Sequence, residues 1–159
     1  MSAWPRPTTA DIAIRAFSST PERLLVETGK GMQEILSSVQ GYVAAEQATR
    51  MTGEWLIDSH GETSKSRLLV IFLEEILYRC EVEGKWFVDG IVMITPQSIR
   101  IQASWVDADL VEREVEIKAV TRHELCFEQL GGGQTLTSPW QDVPDIEGPG
   151  WYCDVVFDI

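Results

Sequence analysis

The sequence predicts an α+β two-layer sandwich, a largely antiparallel mixed sheet with two helices over one face, in the order β-α-β-α-β-β-β-β. Two observations carry this expectation. Apolar residues recur at three- and four-residue steps in two segments of the first half, and they alternate with polar residues in four segments after Gly84. Strands that follow one another in a run, after helices placed earlier, suit a sheet with its helices on one side. At 159 residues the chain is expected to be one domain over 1–159, long enough to bury a real core.

Each element has its own signal. In ADIAIRAF (10–17), Ala10, Ile12, Ile14 and Ala16 alternate with Asp11, Ala13, Arg15 and Phe17, a strand pattern. SSTPE then starts a helix in one of two ways. Ser19 and Glu22 have capping-box spacing, and Thr20 before Pro21 places proline at the first helical position. Leu25, Gly29, Met32, Leu36 and Val39 form one helical face. Gly29 and Gly31 each cost about 1 kcal/mol relative to alanine, and a glycine on that face allows close approach to a sheet.

EWLID (54–58) reads as a strand ending at the turn SHGET. A second helix fits 64–84, with Leu69, Phe72, Leu73, Ile76 and Cys80 on one face and Gly84 as its stop. Glu75 and Arg79 can pair one turn apart, worth about 0.2–0.5 kcal/mol. Four strand patterns follow: WFVDGIVMIT, SIRIQASWV, EVEIKAVTRHELCFEQL with a bend near Arg122, and WYCDVVFDI. The Gly- and Pro-rich stretch between Leu130 and Gly150 is expected to be a long mobile loop.

Twenty-five acidic residues face 13 basic ones, a net charge of −12. That balance disfavours independent binding to a nucleic-acid backbone, which depends on Lys and Arg. It suits a basic protein partner or a cation, or serves solubility alone. Cys80, Cys126 and Cys153 are widely spaced with no CxxC pair. Buried thiols in a reducing compartment are therefore expected rather than disulfides. MSAWPRPTTADI lacks the apolar core of a signal peptide, and no segment has the roughly 20 apolar residues of a membrane helix. The expected location is cytoplasmic.

Common catalytic signatures are missing. GGGQT is not followed by Lys-Ser/Thr, and there is no GxSxG or HExxH. Two histidines cannot build a histidine-rich metal site; His60 reads as a solvated turn residue, and His123 as either a structural or a site residue. Asp58, Asp89, Asp107 and Asp109 suit turns or polar connections. Asp11, inside a strand pattern, and Asp158 beside Ile159 have no such explanation. If the first and last strands are neighbours, these acids meet. Two like charges about 4 Å apart repel by roughly 1 kcal/mol in water and about 4 kcal/mol at an effective dielectric near 20. A cation would relieve that repulsion, and an all-oxygen donor set suits Ca²⁺ or Mg²⁺.

Three segments together resemble the archease family: TTADIAIRAF (8–17), LLVIFLEEILYRCEVEGKWFVDGIVMI (68–94), and EVEIKAVTRHEL (114–125) with the terminal VVFDI. The resemblance implies a small acidic protein that is not itself an enzyme. Such a protein activates an RtcB-type RNA ligase in tRNA splicing or RNA repair, promoting its GTP-dependent guanylylation and repeated turnover. It further implies a metal site, with calcium as the cofactor. Asp11 matches the first-strand ligand, and Asp158 and Ile159 match the C-terminal ligands, Ile159 through main-chain or terminal carboxylate oxygen. Lys118 and His123 match the KAVTxH motif implicated in ligase activation.

Thr8 stands where the family usually has His, Arg122 where it usually has Tyr, the DADLVER connection is short, and the 131–150 loop is long. As a strand, EVEIKAV would put Glu114, Glu116 and Lys118 on one face, where Lys118 either balances nearby acids or acts in function. Two other functions compete. One is a general chaperone for RNA-modifying enzymes such as a tRNA methyltransferase, and the other is a metal-dependent hydrolase. Extending the chain beyond Ile159 is expected to impair metal binding.

Overall fold

Thr20 opens the first helix. Its hydroxyl accepts a hydrogen bond from the Arg23 N–H at 3.1 Å, and Pro21 occupies the first turn. The computed structural model describes residues 2–8 and 11–159. Its helices are α1 (Pro21–Leu36), α2 (Val39–Gln47) and α3 (Lys65–Glu83). Its strands are β1 (Ala3–Arg6), β2 (Ile12–Ser18), β3 (Met51–Asp58), β4 (Lys85–Ile94), β5 (Ser98–Asp107), β6 (Ala119–Val120), β7 (Cys126–Leu130), β8 (Thr135–Leu136), β9 (Ile146–Glu147) and β10 (Gly150–Asp158).

The class is α+β, and the strand pairs described are all antiparallel. One sheet runs β1-β2-β10, with β6 and β7 both pairing the far side of β10. A second runs β3-β5-β4, and β8-β9 is a short ribbon. Helix α1 packs against strands of both sheets and against α3. The continuous core therefore joins Ile14, Val155 and Phe157 of the first sheet to Trp55, Phe87, Ile99 and Ile101 of the second. Leu24, Met32, Leu69, Phe72 and Ile76 from the helices fill the space between them.

Several expected elements differ in detail. There are three helices rather than two, because the first ends at Leu36 and a new one starts. Ser38 accepts a hydrogen bond from Gly41 N–H at 3.0 Å, capping α2. Val39, expected on the buried face of the first helix, is 77% exposed. A Cβ on Gly41 would collide with the Glu112 carbonyl oxygen, so glycine lets α2 sit against the connection after β5. A Cβ on Gly31 would meet Ala3 of β1 at 2.7 Å, a close approach to the sheet, whereas Gly29, the glycine on the expected buried face, lies against Phe72 of α3 instead.

β1 was not expected. Pro5 lacks an N–H, and an edge strand tolerates that loss. The first expected strand begins at Ala10, which lies outside the described residues. Within them β2 starts at Ile12, with Asp11 in the bend before it.

The expected strand 114–130 is broken. Residues 114–118 keep the alternation, with Val115 and Ile117 turned inward and Glu114, Glu116 and Lys118 exposed, but they form no ladder. Main-chain bonds hold this run instead, from Glu114 N–H to Leu36 O at 2.9 Å and from Lys118 N–H to Asp158 O at 2.8 Å. The presumed loop 131–149 carries the β8-β9 ribbon and buries Val143 and Ile146. Among the described residues no helix is long and apolar enough to cross a membrane.

Candidate functional site

The first and last long strands are neighbours. Antiparallel register sets Val156 opposite Ala13 and Phe157 opposite Ile12. The ladder ends there, with Asp158 next after Phe157 and Asp11 in the bend just before Ile12, so the two aspartates adjoin the same last pair. Opposed residues share a face. The face carrying Arg15 and Asp154, and then Ala13 and Val156, therefore continues to the two aspartates, while Ile14, Val155 and Phe157 face the core.

Asp158 is fixed from the β6 side. β6 sets Ala119 opposite it, and its carbonyl accepts the Lys118 N–H. Both aspartate side chains are exposed, and Ile159 is 40% exposed. Thr8, at the position where the family pattern has His, donates its hydroxyl to the Asp11 carbonyl.

An open cleft of about 330 Å³ adjoins this corner, lined among others by Arg6, Thr8, Asp11, His123, Glu124 and Trp140. It brings Asp11 and His123 to one place. Asp158, Ile159 and Lys118 lie at the adjoining strand end, outside the cleft lining. The His123 ring is exposed, with Nε2 3.8 Å from Glu124 Oε1, and its N–H donates to Thr121 Oγ1 at 3.3 Å. Lys118 is exposed and its ammonium forms no ion pair among the described residues.

Beneath the cleft lies a charged cluster that the sequence reading missed. Arg15 donates from Nε and Nη2 to the two oxygens of Asp154 at 2.8 and 2.7 Å, with both side chains buried. Arg6 reaches the same carboxylate at 3.7 Å and pairs with Glu124. The hydrogen bonds that Arg15 donates to Asp154 hold its guanidinium above its usual range, against the opposing effect of burial. Tyr152 donates to Glu128 at 2.9 Å. The available signal was that Arg15 and Asp154 fall on the polar sides of the first and last strand patterns. Only their register makes them partners.

Other expected roles are visible. Asp58 accepts the His60 N–H at 2.8 Å in an exposed turn. Asp89 accepts the Gly90 N–H at 2.8 Å, and Asp107 accepts the Asp109 N–H at 3.0 Å. The three cysteines are free, with Cys80 and Cys153 buried. Burial pushes the Cys126 and Cys153 thiols up to about 12 and raises Cys80 as well. All three should therefore react slowly with a disulfide reagent near pH 8 and become reactive on unfolding. Stoichiometric thiol release with and without urea checks this, and fast native release from Cys126 or Cys153 would contradict it.

Among the described residues no group of three or more His, Cys, Asp or Glu side chains gathers. The candidate donors are the Asp11 and Asp158 carboxylates and main-chain oxygen of Ile159. This set is all oxygen and completed by main chain or water, as hard cations accept. By donor chemistry alone the set suits a hard cation; the two carboxylates belong to residues that adjoin the same last pair of the ladder, each exposed to solvent.

The Archease protein family model matches residues 5–159. Protein archease of Pyrococcus furiosus is 31% identical over 144 residues, covering 87% of this chain and 94% of the relative. Protein archease of Thermococcus gammatolerans is 30% identical with the same coverage. The solution structure of Methanobacterium thermoautotrophicum protein 1598 superposes with a TM-score of 0.59 at 16% identity, covering 99% of each chain. That last likeness concerns the fold alone.

Proposed function

Since the chain belongs to the archease family, we propose that it is a non-catalytic activator of an RtcB-type RNA ligase, promoting GTP-dependent guanylylation of the ligase and its repeated turnover. The observation that supports this reading is the β2–β10 register, whose last pair, Phe157 opposite Ile12, brings the neighbouring Asp158 and Asp11 to one end of the sheet, while the Lys118 N–H bonds to the Asp158 main chain. Three residues matched to the family's functional positions thus converge on one corner. His123 shares the adjoining cleft with Asp11.

Asp11, Asp158 and the Ile159 main-chain oxygen would hold the divalent cation, with calcium as the proposed ion. When bound, the ion supplies positive charge that offsets two neighbouring carboxylates. The chain's own residues do the rest. The β6 ladder and the Lys118 N–H fix the Asp158 backbone, so that its carboxylate is presented at the surface. The Lys118 ammonium, exposed and without an ion pair among the described residues, is a point charge suited to a phosphate or a partner's carboxylate. An activator of this kind works by binding the competent conformation of its partner more tightly than the resting one. The net charge of −12 suits docking on a basic surface near a nucleotide site.

The test is reconstitution of the full chain with the RNA ligase of the same organism, GTP and calcium chloride. Guanylylated ligase is expected to accumulate faster with the protein than without it. Equal rates would contradict the activator reading. Suppression of client aggregation without faster guanylylation would favour a chaperone.

A further inference from the structure

We propose that Trp140 is a positioning residue for the Asp11–His123 cleft, acting through Arg6 and Glu124. The functional arm of this proposal rests on the activator reading, while its structural arm stands on the contacts alone. The outer face of β2 and β10 buries two guanidinium groups, Arg6 and Arg15, that share one buried carboxylate, Asp154. The second negative charge comes from Glu124, which is half exposed in the cleft wall.

The Trp140 ring lies 4.7 Å from the guanidinium carbon of Arg6 and 4.7 Å from that of Arg15. Arg6 Nε and Arg15 Nη1 are buried without an acceptor among the described residues. The electron-rich face of the indole is therefore part of what balances these two cations.

The main chain that carries the ring is held in place. Ser138 Oγ accepts the Trp140 main-chain N–H at 3.1 Å and donates to the Trp140 carbonyl at 3.0 Å, and the Ser138 main-chain N–H donates to Asp145 at 2.7 Å. Val143 and Ile146 bury their side chains on either side of this turn's return, fastening the segment to the body. On the far side, Arg6 holds Glu124, whose backbone sits in the left-handed region at φ 54°, next to His123. A continuous line of contacts thus runs from Trp140 through Arg6 and Glu124 to His123. Without the ring, Arg6 is free to change rotamer, Glu124 loses its fixed partner, and the 121–125 turn loosens beside Asp11.

The test compares full-length Trp140→Ala and Trp140→Phe with the parent chain. In the isolated protein, amide hydrogen exchange at Thr121 and Leu125, whose N–H groups bond to Val156 and Arg122, should speed up about tenfold in Trp140→Ala and stay near the parent rate in Trp140→Phe, with α3 unchanged. With the ligase, the concentration giving half-maximal stimulation should rise about tenfold in Trp140→Ala with the plateau retained, and should recover in Trp140→Phe. Unchanged exchange at 121–125, a phenylalanine variant as impaired as alanine, or faster exchange spread through α3 would each overturn the proposal. If the parent chain does not stimulate the ligase, the activator reading falls, and the exchange rates alone decide the positioning role.

Discussion

Replacing Asp154 by alanine is expected to destabilise the protein by about 3–5 kcal/mol, because it leaves a buried cation without its partner. For a chain of this size that corresponds to a midpoint lowered by roughly 6–20 °C. Asp154 receives two hydrogen bonds from Arg15 at 2.8 and 2.7 Å and lies 3.7 Å from Arg6. Its loss strands the Arg15 guanidinium and leaves Arg6 with Glu124 alone, on a face already covered by Trp140 and Tyr152. The double replacement Arg15→Met with Asp154→Leu should recover much of the loss, since an apolar pair removes both desolvation penalties. Urea denaturation of the single and double variants checks both statements. An alanine variant within about 1 kcal/mol of the parent, the range of an exposed ion pair, would show that the pair is hydrated.

The second large effect is functional. Asp11→Asn and Asp158→Asn each keep side-chain size while removing one of two neighbouring charges, so both variants should fold with parental stability and lose ligase stimulation. The exposed positions of both residues support this separation of stability from activity. Calcium binding by titration calorimetry should weaken strongly in each variant, because a hard cation depends on charged oxygen donors. Raising the calcium concentration should restore part of the activity of each single variant and none of the activity of the double variant.

Much of the fold was legible where its signals are local. Thr20-Pro21 marks a helix start, the 64–84 periodicity marks α3, and the alternation in β2 and β10 marks two strands. What escaped depends on partners distant in sequence. Residues 114–118 carry a strand-like alternation, yet their main-chain groups bond to Leu36 and Asp158 rather than to a ladder. Two serines, Ser37 and Ser38, split one expected helix into two by ending α1 and capping α2. The prolines in and after β1 hid a strand whose stability comes from pairing with β2.

The site divides in the same way. Asp11 and Asp158 stood out because each is a charge without a local structural reason, and the observed register, ending on Phe157 opposite Ile12, leaves them next to each other at the end of that ladder. Arg6, Glu124 and Trp140 gave no comparable sign. Proline-flanked Arg6 and loop-borne Trp140 look solvent-exposed in sequence, and only the fold buries Arg6 under the indole ring.

The most direct measurement is the guanylylated fraction of the organism's own RNA ligase over time, with GTP and calcium chloride, in the presence of the parent chain, Asp11→Asn or Asp158→Asn. The account predicts faster guanylylation with the parent chain and the ligase-alone rate with either variant. Full stimulation by both variants would contradict it.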